Sequence, residues 1–268
     1  MKTNNIANRT NSTADPVSAV TTTPRPVVAM AKDFPDGHCI PMHQHAKSQL
    51  LYAAAGVMTV KTEKGVWVVP PLRAVWIPSH TEHQIHISGR LAMRTLYIDP
   101  GTSLSLPDTC CVVSVSSLLK ELIVHATTLP RLYAAQSPEE RLFNVILDQI
   151  EHLDATPLEL PIPGDPRLVQ IYKRLARNPA DNRTLNDWGR TVGATARTLC
   201  RQFRNQTGMS FRQWRQQIRI LEAMKRLGLG ESVTSVAIGL GYDSPSAFIS
   251  MFRKALGKTP GQYFKVPM

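Results

Sequence analysis

The sequence predicts an α+β chain, a small N-terminal β-barrel followed by an all-α half with two helix-turn-helix units. Three observations lead there. Between residues 27 and 115, short β-rich runs recur between Gly and Pro, the pattern of a small barrel or sandwich. From residue 116 onward the apolar residues fall at helical spacing instead. And one plan occurs twice, in Thr184–Phe211 and in Ser232–Phe264: a short helix, a turn holding Gly193 or Gly241, a second helix ending in Phe203-Arg204 or Phe252-Arg253, then a glycine stop.

Charge divides the chain at the same place. The 268 residues carry a net charge of +11. Up to Asp165, 13 Lys and Arg face 15 Asp and Glu, a net −2, whereas from Pro166 onward 18 face 5, a net +13. All the excess positive charge therefore accompanies the helix-turn-helix units, which suits a polyanionic partner such as double-stranded DNA. Cys39, Cys110, Cys111 and Cys200 show no metal-type or redox-type pairing in sequence and read as free thiols of a reducing compartment. No apolar run approaches the ~18 residues of a membrane span, and no secretory leader is apparent. The expectation is a cytoplasmic protein with no membrane partner.

In chain order, residues 1–26 are rich in Thr, Asn and Ser and read as a loose tail. Residues 27–115 hold the strands, among them Leu50–Ala53, Val57–Val60, Val66–Val69 and Leu91–Ile98. Tyr52, Trp67, Trp76 and Tyr97 are strand aromatics that suit a core or a pocket lining. Residues 116–165 form a connecting region with two helices. The first runs over 116–129 with Leu118, Leu119, Leu122, Ile123 and Ala126 on one stripe. The second is announced by Ser137 as N-cap, Pro138 and Glu140, and carries Leu142, Val145, Ile146, Gln149, Ile150 and Leu153. Four prolines between 154 and 166 predict an extended, semi-rigid linker. Residues 166–268 are the basic helical domain. There Thr184, Thr195 and Ser244 start helices, and Phe211–Leu227 connects the two units.

In the second helix of the first unit, Leu199 and Phe203 at i, i+4 face the core. That leaves Arg197, Thr198, Cys200, Arg201 and Arg204 on the side that would enter a major groove. Arg reads guanine in bidentate fashion, so Arg197 and Arg201 are the base-reading candidates and Arg204, at the helix end, a phosphate contact. In the second unit Phe248 and Phe252 are core. Pro245, Ser246, Ala247 and Ser250 face outward, with Arg253, Lys254 and Lys258 beside the phosphates.

Gly241-Tyr242-Asp243-Ser244-Pro245-Ser246-Ala247-Phe248, followed by Met251-Phe252-Arg253-Lys254, Gly257-Lys258-Thr259-Pro260 and Tyr263, resembles the signature of the AraC/XylS family of bacterial transcription regulators. The run from His43 to Ala53 and the domain order resemble a NimR-like subgroup of it. The resemblance implies a ligand-sensing N-terminal domain, a helix that makes a homodimer, and two units reading groove segments about 34 Å apart. Family members commonly carry Arg or Lys where this chain has Ser250, which implies weaker base reading by the second unit. Packing of the connecting helices within one chain is the alternative to dimerisation.

The segment Gly37-x5-His43-x-His45-x3-Gln49-x6-Gly56 resembles the first cupin motif, with Gln49 in place of the usual Glu. Residues 77–83 resemble the second, with His80 in place of a glycine and His83 at the last ligand position. Residues two apart on a strand share a face, so His43 and His45 are expected to point into the barrel together. Three readings stay open: a divalent metal such as zinc, nickel, iron or manganese on His43, His45 and His83; a small organic effector on His43, His45, Gln49 and His83; or a self-satisfied polar cluster. The expected function is a non-enzymatic regulator controlled by a small-molecule or metal effector. A metal-dependent cupin enzyme tethered to DNA and a non-specific architectural protein are the alternatives.

Overall fold

A computed structural model of the chain describes residues 20–102 and 107–264. Nine strands form one sheet: β1 (Val27–Phe34), β2 (Cys39–His43), β3 (Ser48–Lys61), β4 (Gly65–Val69), β5 (Arg73–Ile77), β6 (His83–Ile98), β7 (Cys111–Ser114), β8 (Ala155–Thr156) and β9 (Glu159–Pro161). The order is β1-β6-β3-β5-β7-β8, with β2 also on β6 and β4 between β3 and β9. All strand pairs are antiparallel. Among the described residues no ladder joins β1 to β8, so the expected barrel is an unclosed one.

Two features that read as separate strands are single long ones. The runs at Leu50 and Val57 belong to β3, and Leu91–Ile98 is the second half of β6. Gly56 (φ +75°) and Gly89 (φ +73°) lie inside these strands, with register shifts around Ala55. Glycine in the left-handed region lets a strand bulge and bend instead of ending. Gly56 also lies against the Arg90 carbonyl, where a Cβ would approach to 2.6 Å.

Strand alternation sorts the side chains into two cores. Leu51, Val75, Ile77, Ile85, Met93 and Tyr97 point to the concave side. Leu50, Tyr52, Ala74, Trp76, Leu96 and Ile98 point to the convex side, which is covered by α1 (Ser117–Ala126) and α2 (Pro138–Glu151). Leu119, Ile123, Phe143, Ile146 and Ile150 seal that face. Leu118 and Val145, expected on the apolar stripes, are instead 55% and 44% exposed.

Residues 20–26 and the linker are both more ordered than their composition predicts. The tail expected over residues 1–26 lies outside the described residues up to residue 19, but from Val20 it is part of the fold. Val20 is fully buried, Arg25 donates to the Tyr133 carbonyl, and Lys47 donates to the Arg25 carbonyl. The linker is extended, as its prolines require, yet it joins the sheet: β8 pairs with β7, and β9 pairs with β4. Leu158 and Leu160 between its prolines are buried, and that burial is what docks it.

The helical half comprises α3 (Pro166–Arg177), α4 (Leu185–Val192), α5 (Ala196–Thr207), α6 (Phe211–Gly228), α7 (Val233–Gly239), α8 (Pro245–Leu256) and α9 (Pro260–Tyr263). Starts follow the expected caps at Thr184, Thr195 and Ser244, and Ser210, Ser232 and Thr259 act in the same way: each accepts a backbone N–H three residues on. Helix α6 is the beam between the two units, and it also rests on the sheet domain. Trp214 Nε1 donates to the Pro161 carbonyl (3.0 Å), and Gln217 Nε2 donates to the carbonyls of Pro157 and Glu159 (2.6 and 2.8 Å). At its far end Gly228 abuts Val57, Pro70 and Pro71, and Leu229 abuts Gly89. Arg73 stacks on Tyr263 and donates to its hydroxyl (3.1 Å).

Replacing Trp214 tests this arrangement. Trp214→Ala is expected to cost about 3–5 kcal/mol in urea denaturation. Trp214→Phe, which removes the hydrogen bond to Pro161 and part of the ring system but keeps an aromatic in the core, is expected to cost less, about 1–2 kcal/mol.

Candidate functional site

Two constellations carry chemistry. The first is the exposed face of the basic domain. On α5, Leu199 and Phe203 are fully buried while Arg197, Cys200, Arg201 and Arg204 are exposed, so the three arginines form one outward row at helical spacing. Among the described residues no carboxylate pairs with any of the three. Thr198 is half-buried, and its hydroxyl is taken up by the N-cap Thr195 (2.9 Å). The turn before α5 is closed by Gly193 in the left-handed region (φ +66°).

In the second unit Phe248 and Phe252 are buried, and Ser246, Ala247, Ser250, Arg253 and Lys254 are exposed. Pro245 fills the first helical position, half-buried beside its N-cap Ser244. The helix–helix turn needs glycine at Gly241: φ is +77°, and a Cβ there would come within 2.9 Å of the Ala180 carbonyl. Not all the basic residues face outward. Arg219 of α6 is buried and donates to the carbonyls of Pro179 and Ala180 and to Asn182. Arg226 is held by Glu231, and Arg183 by Asp181.

The second constellation is the histidine cluster on the concave side of the sheet. His43 ends β2 and pairs across the ladder with His83, the first residue of β6. Their rings are 4.2 Å apart. His45 lies 5.3 Å from His83, and Gln49 accompanies it with Oε1 3.2 Å from His45 Nε2. One nitrogen of each of the three rings lies within 4.8 Å of the others. The four residues singled out in the sequence are thus brought together, though not wholly for the expected reason. His45 is not on a strand; it reaches in from the loop after β2.

Backbone carbonyls set the ring orientations. Nδ1 of His43, His45 and His83 contacts the carbonyls of Pro41, Lys47 and Thr81, respectively. A nitrogen that donates to a carbonyl carries the proton, which leaves the lone pair on Nε2. The Nε2 of fully buried His83 has no hydrogen-bond partner. Burial pushes its pKa down to about 4 and lowers that of His45 as well, so both rings are neutral near pH 7. Gln49 Nε2 donates to Thr95 Oγ1 (2.9 Å), which turns the amide oxygen toward His45. Gln49 Oε1 accepts from His45 Nε2 when the ring carries its proton there, and the tautomer decides between this contact and the one from Nδ1 to the Lys47 carbonyl. His80, standing where the resembled motif has glycine, keeps the glycine conformation (φ +57°), and its N–H donates to the His45 carbonyl.

A cavity of about 260 Å³ opens beside the cluster, with His43 and Gln49 at one end and Met30, Phe34, Ile85, Met93 and Tyr97 among its walls. Tyr97 sets its edge against His45 at 5.1 Å. Thr95 and Tyr97 complete the site, and only the β3–β6 register, Gln49 opposite Tyr97, brings them there. No short motif marks them. Tyr52 and Trp76 lie on the convex face, away from this cavity. Trp67 lines a larger hollow of about 500 Å³ near Glu159.

Two family models match the two halves of the chain. Residues 26–135 match an AraC-like ligand binding domain, and residues 188–265 match a helix-turn-helix domain. The chain is 37% identical over 223 residues to the HTH-type transcriptional regulator NimR of Escherichia coli, covering 83% of this chain and 81% of that one. It is 34% identical over 103 residues to the HTH-type transcriptional regulator RipA of Corynebacterium glutamicum, covering 38% of this chain and 31% of that one. A crystal structure of ToxT from Vibrio cholerae with bound unsaturated fatty acid aligns over 88% of this chain and 94% of its own, at 11% identity and a TM-score of 0.37.

The arginine row makes a quantitative test possible. Arg201→Ala is expected to weaken operator binding by about 1–3 kcal/mol and to relax preference at a single base pair in a binding-site selection. Arg204→Ala is expected to weaken all sequences alike and to flatten the salt dependence.

Proposed function

The chain belongs to the AraC family of transcription regulators, DNA-binding proteins with a ligand-binding domain and no enzymatic role, and on that premise we propose that its effector site is a divalent-metal centre on His43, His45 and His83, with Gln49 as a fourth donor. One observation carries this reading: the buried, unpartnered Nε2 of His83 aimed among two further imidazoles. A buried polar atom without a partner is costly. Here a cation resolves that cost. Neutral imidazoles held through Nδ1 by carbonyls are the form that ligates zinc, nickel or iron(II).

On the DNA side, Arg197 and Arg201 read base edges. Thr198 and Cys200 line the groove wall, and Arg204, Arg253 and Lys254 grip phosphates. Pro245, Ser246, Ala247 and Ser250 give the second unit a small, shallow contact surface that reads methyl groups and shape more than hydrogen-bond patterns. The exposed Leu118 and Val145 on α1 and α2 favour a homodimer through these helices. The regulator works in the cytoplasm, where its thiols stay reduced.

The switch is a shift between two arrangements of the sheet domain against α6. Gln49 lies in β3, β3 carries β4, β4 pairs with β9, and β9 lies in the segment whose carbonyls hold Gln217 and Trp214 of α6. Tightening the cluster therefore acts on the one helix that fixes the spacing of both recognition helices.

Elemental analysis of the full-length protein is the first test: about one equivalent of zinc, nickel or iron in the wild type, and none in His83→Ala or in His43→Ala/His45→Ala. Operator footprints with metal and after chelation complete it. Equal metal content in wild type and variants would remove the site, and identical footprints would remove the switch.

A further inference from the structure

We infer that the effector of this site is a small anion with an apolar body, whose carboxylate-type head completes the metal's coordination; this rests on the metal reading above. The inference comes from charge. No donor in the set brings a negative charge: it consists of three imidazoles and one amide oxygen. Among the described residues lining the adjoining cavity there is no Asp or Glu, and the one formal charge is Lys32, whose ammonium lies 5.0 Å over the Phe34 ring. A divalent ion there would keep its full double charge between the buried His45 and His83. Uncompensated charge away from water is strongly unfavourable, and a counter-charge at contact distance relieves it.

Position 49 is where that counter-charge would otherwise come from. Gln49 has the shape of Glu without its charge, and it is pinned by Thr95 with its oxygen toward the histidines. The site is thus built to hold a cation while leaving its charge for something else to neutralise. The space for that group is present. The cavity of about 260 Å³ meets the cluster at His43 and Gln49, its walls of Met30, Phe34, Ile85 and Met93 are apolar, and Lys32 adds a second positive charge. An anion head bound at the metal with an apolar body along these walls satisfies both features. A neutral ligand satisfies only the walls, and a bare inorganic anion only the charge.

Full-length protein loaded with cobalt(II) tests this by visible absorption, with benzoate, benzamide and acetate as probes. Benzoate and benzamide share a shape and differ in charge; acetate has the head without the body. Benzoate is expected to change the cobalt spectrum saturably and to bind at least about tenfold more tightly than either of the others. Gln49→Glu is expected to keep its cobalt and lose that preference by about tenfold or more, because the protein then supplies the charge itself. Should this variant fail to fold, the wild-type comparison decides alone. Equal binding of benzoate and benzamide, equal binding of benzoate to metal-free protein, or no spectral response to any probe would overturn the inference while leaving a cobalt-loaded site intact. A protein that takes up no metal would overturn the parent reading as well, and elemental analysis separates the two failures.

Discussion

Trp214 stands where everything in this chain meets. Its ring is fully buried, packed at 5.1 Å on Phe203 of the first recognition helix and edge-on at 6.0 Å to Tyr172 of α3. Its indole N–H is tied to the linker carbonyl of Pro161. One residue thereby joins the core of the first helix-turn-helix unit, the helix that leads to the second, and the strand that extends the sensor sheet. The apolar cluster around it is continuous from Leu51 and Ile85 in the sheet to Phe248 and Phe252 in the last unit. Interiors packed to crystal-like density do not deform smoothly, so a change at one end of such a cluster is passed on as a choice between packings.

The basic domain shows why charge alone is a blunt guide. Its surplus is real, but part of it is structural. Arg219 is buried under backbone carbonyls, Arg183 lies 3.7 Å over the Trp188 ring, and Arg226 is bound to Glu231. What sets the α5 arginines apart from these three is that, among the described residues, no carboxylate pairs with them, and that they align opposite Leu199 and Phe203. A guanidinium that folding leaves unpaired and exposed is free to be desolvated against a base or phosphate.

How much of this was legible in sequence depends on the range of the interaction. Helix starts were, because a cap involves residues three apart, as at Thr184, Ser137 and Ser244. So was the buried side of each second helix, since one helix periodicity settles it, as at Leu199 and Phe203 and at Phe248 and Phe252. Strand ends were not: Gly56 and Gly89 look like terminators, yet each is a bend inside a long strand whose pairing is fixed by distant partners. The linker misled for a similar reason, its prolines announcing extension but not that Leu158 and Leu160 would be buried. In the histidine cluster the members were visible through their spacing. The loop position of His45, the carbonyls that orient the rings, and the Thr95 and Tyr97 partners all depend on strand register and left no local mark.

The docked linker has a consequence for where the protein can be divided. By composition the linker begins at residue 154, but by folding the sheet domain runs on to the end of β9. A fragment cut at 154 would lose the strand that covers β4 and would present an open sheet edge, a surface that pairs readily with other chains. An exchange of sensor domains between related regulators would meet the same difficulty. The segment 155–161 folds with the sensor, yet its carbonyls are the seat of α6 in the DNA-binding half, so it belongs to both modules. Sensors and DNA readers of this type are therefore tradable only together with that short strand, and its sequence has to suit a sheet on one side and a helix on the other.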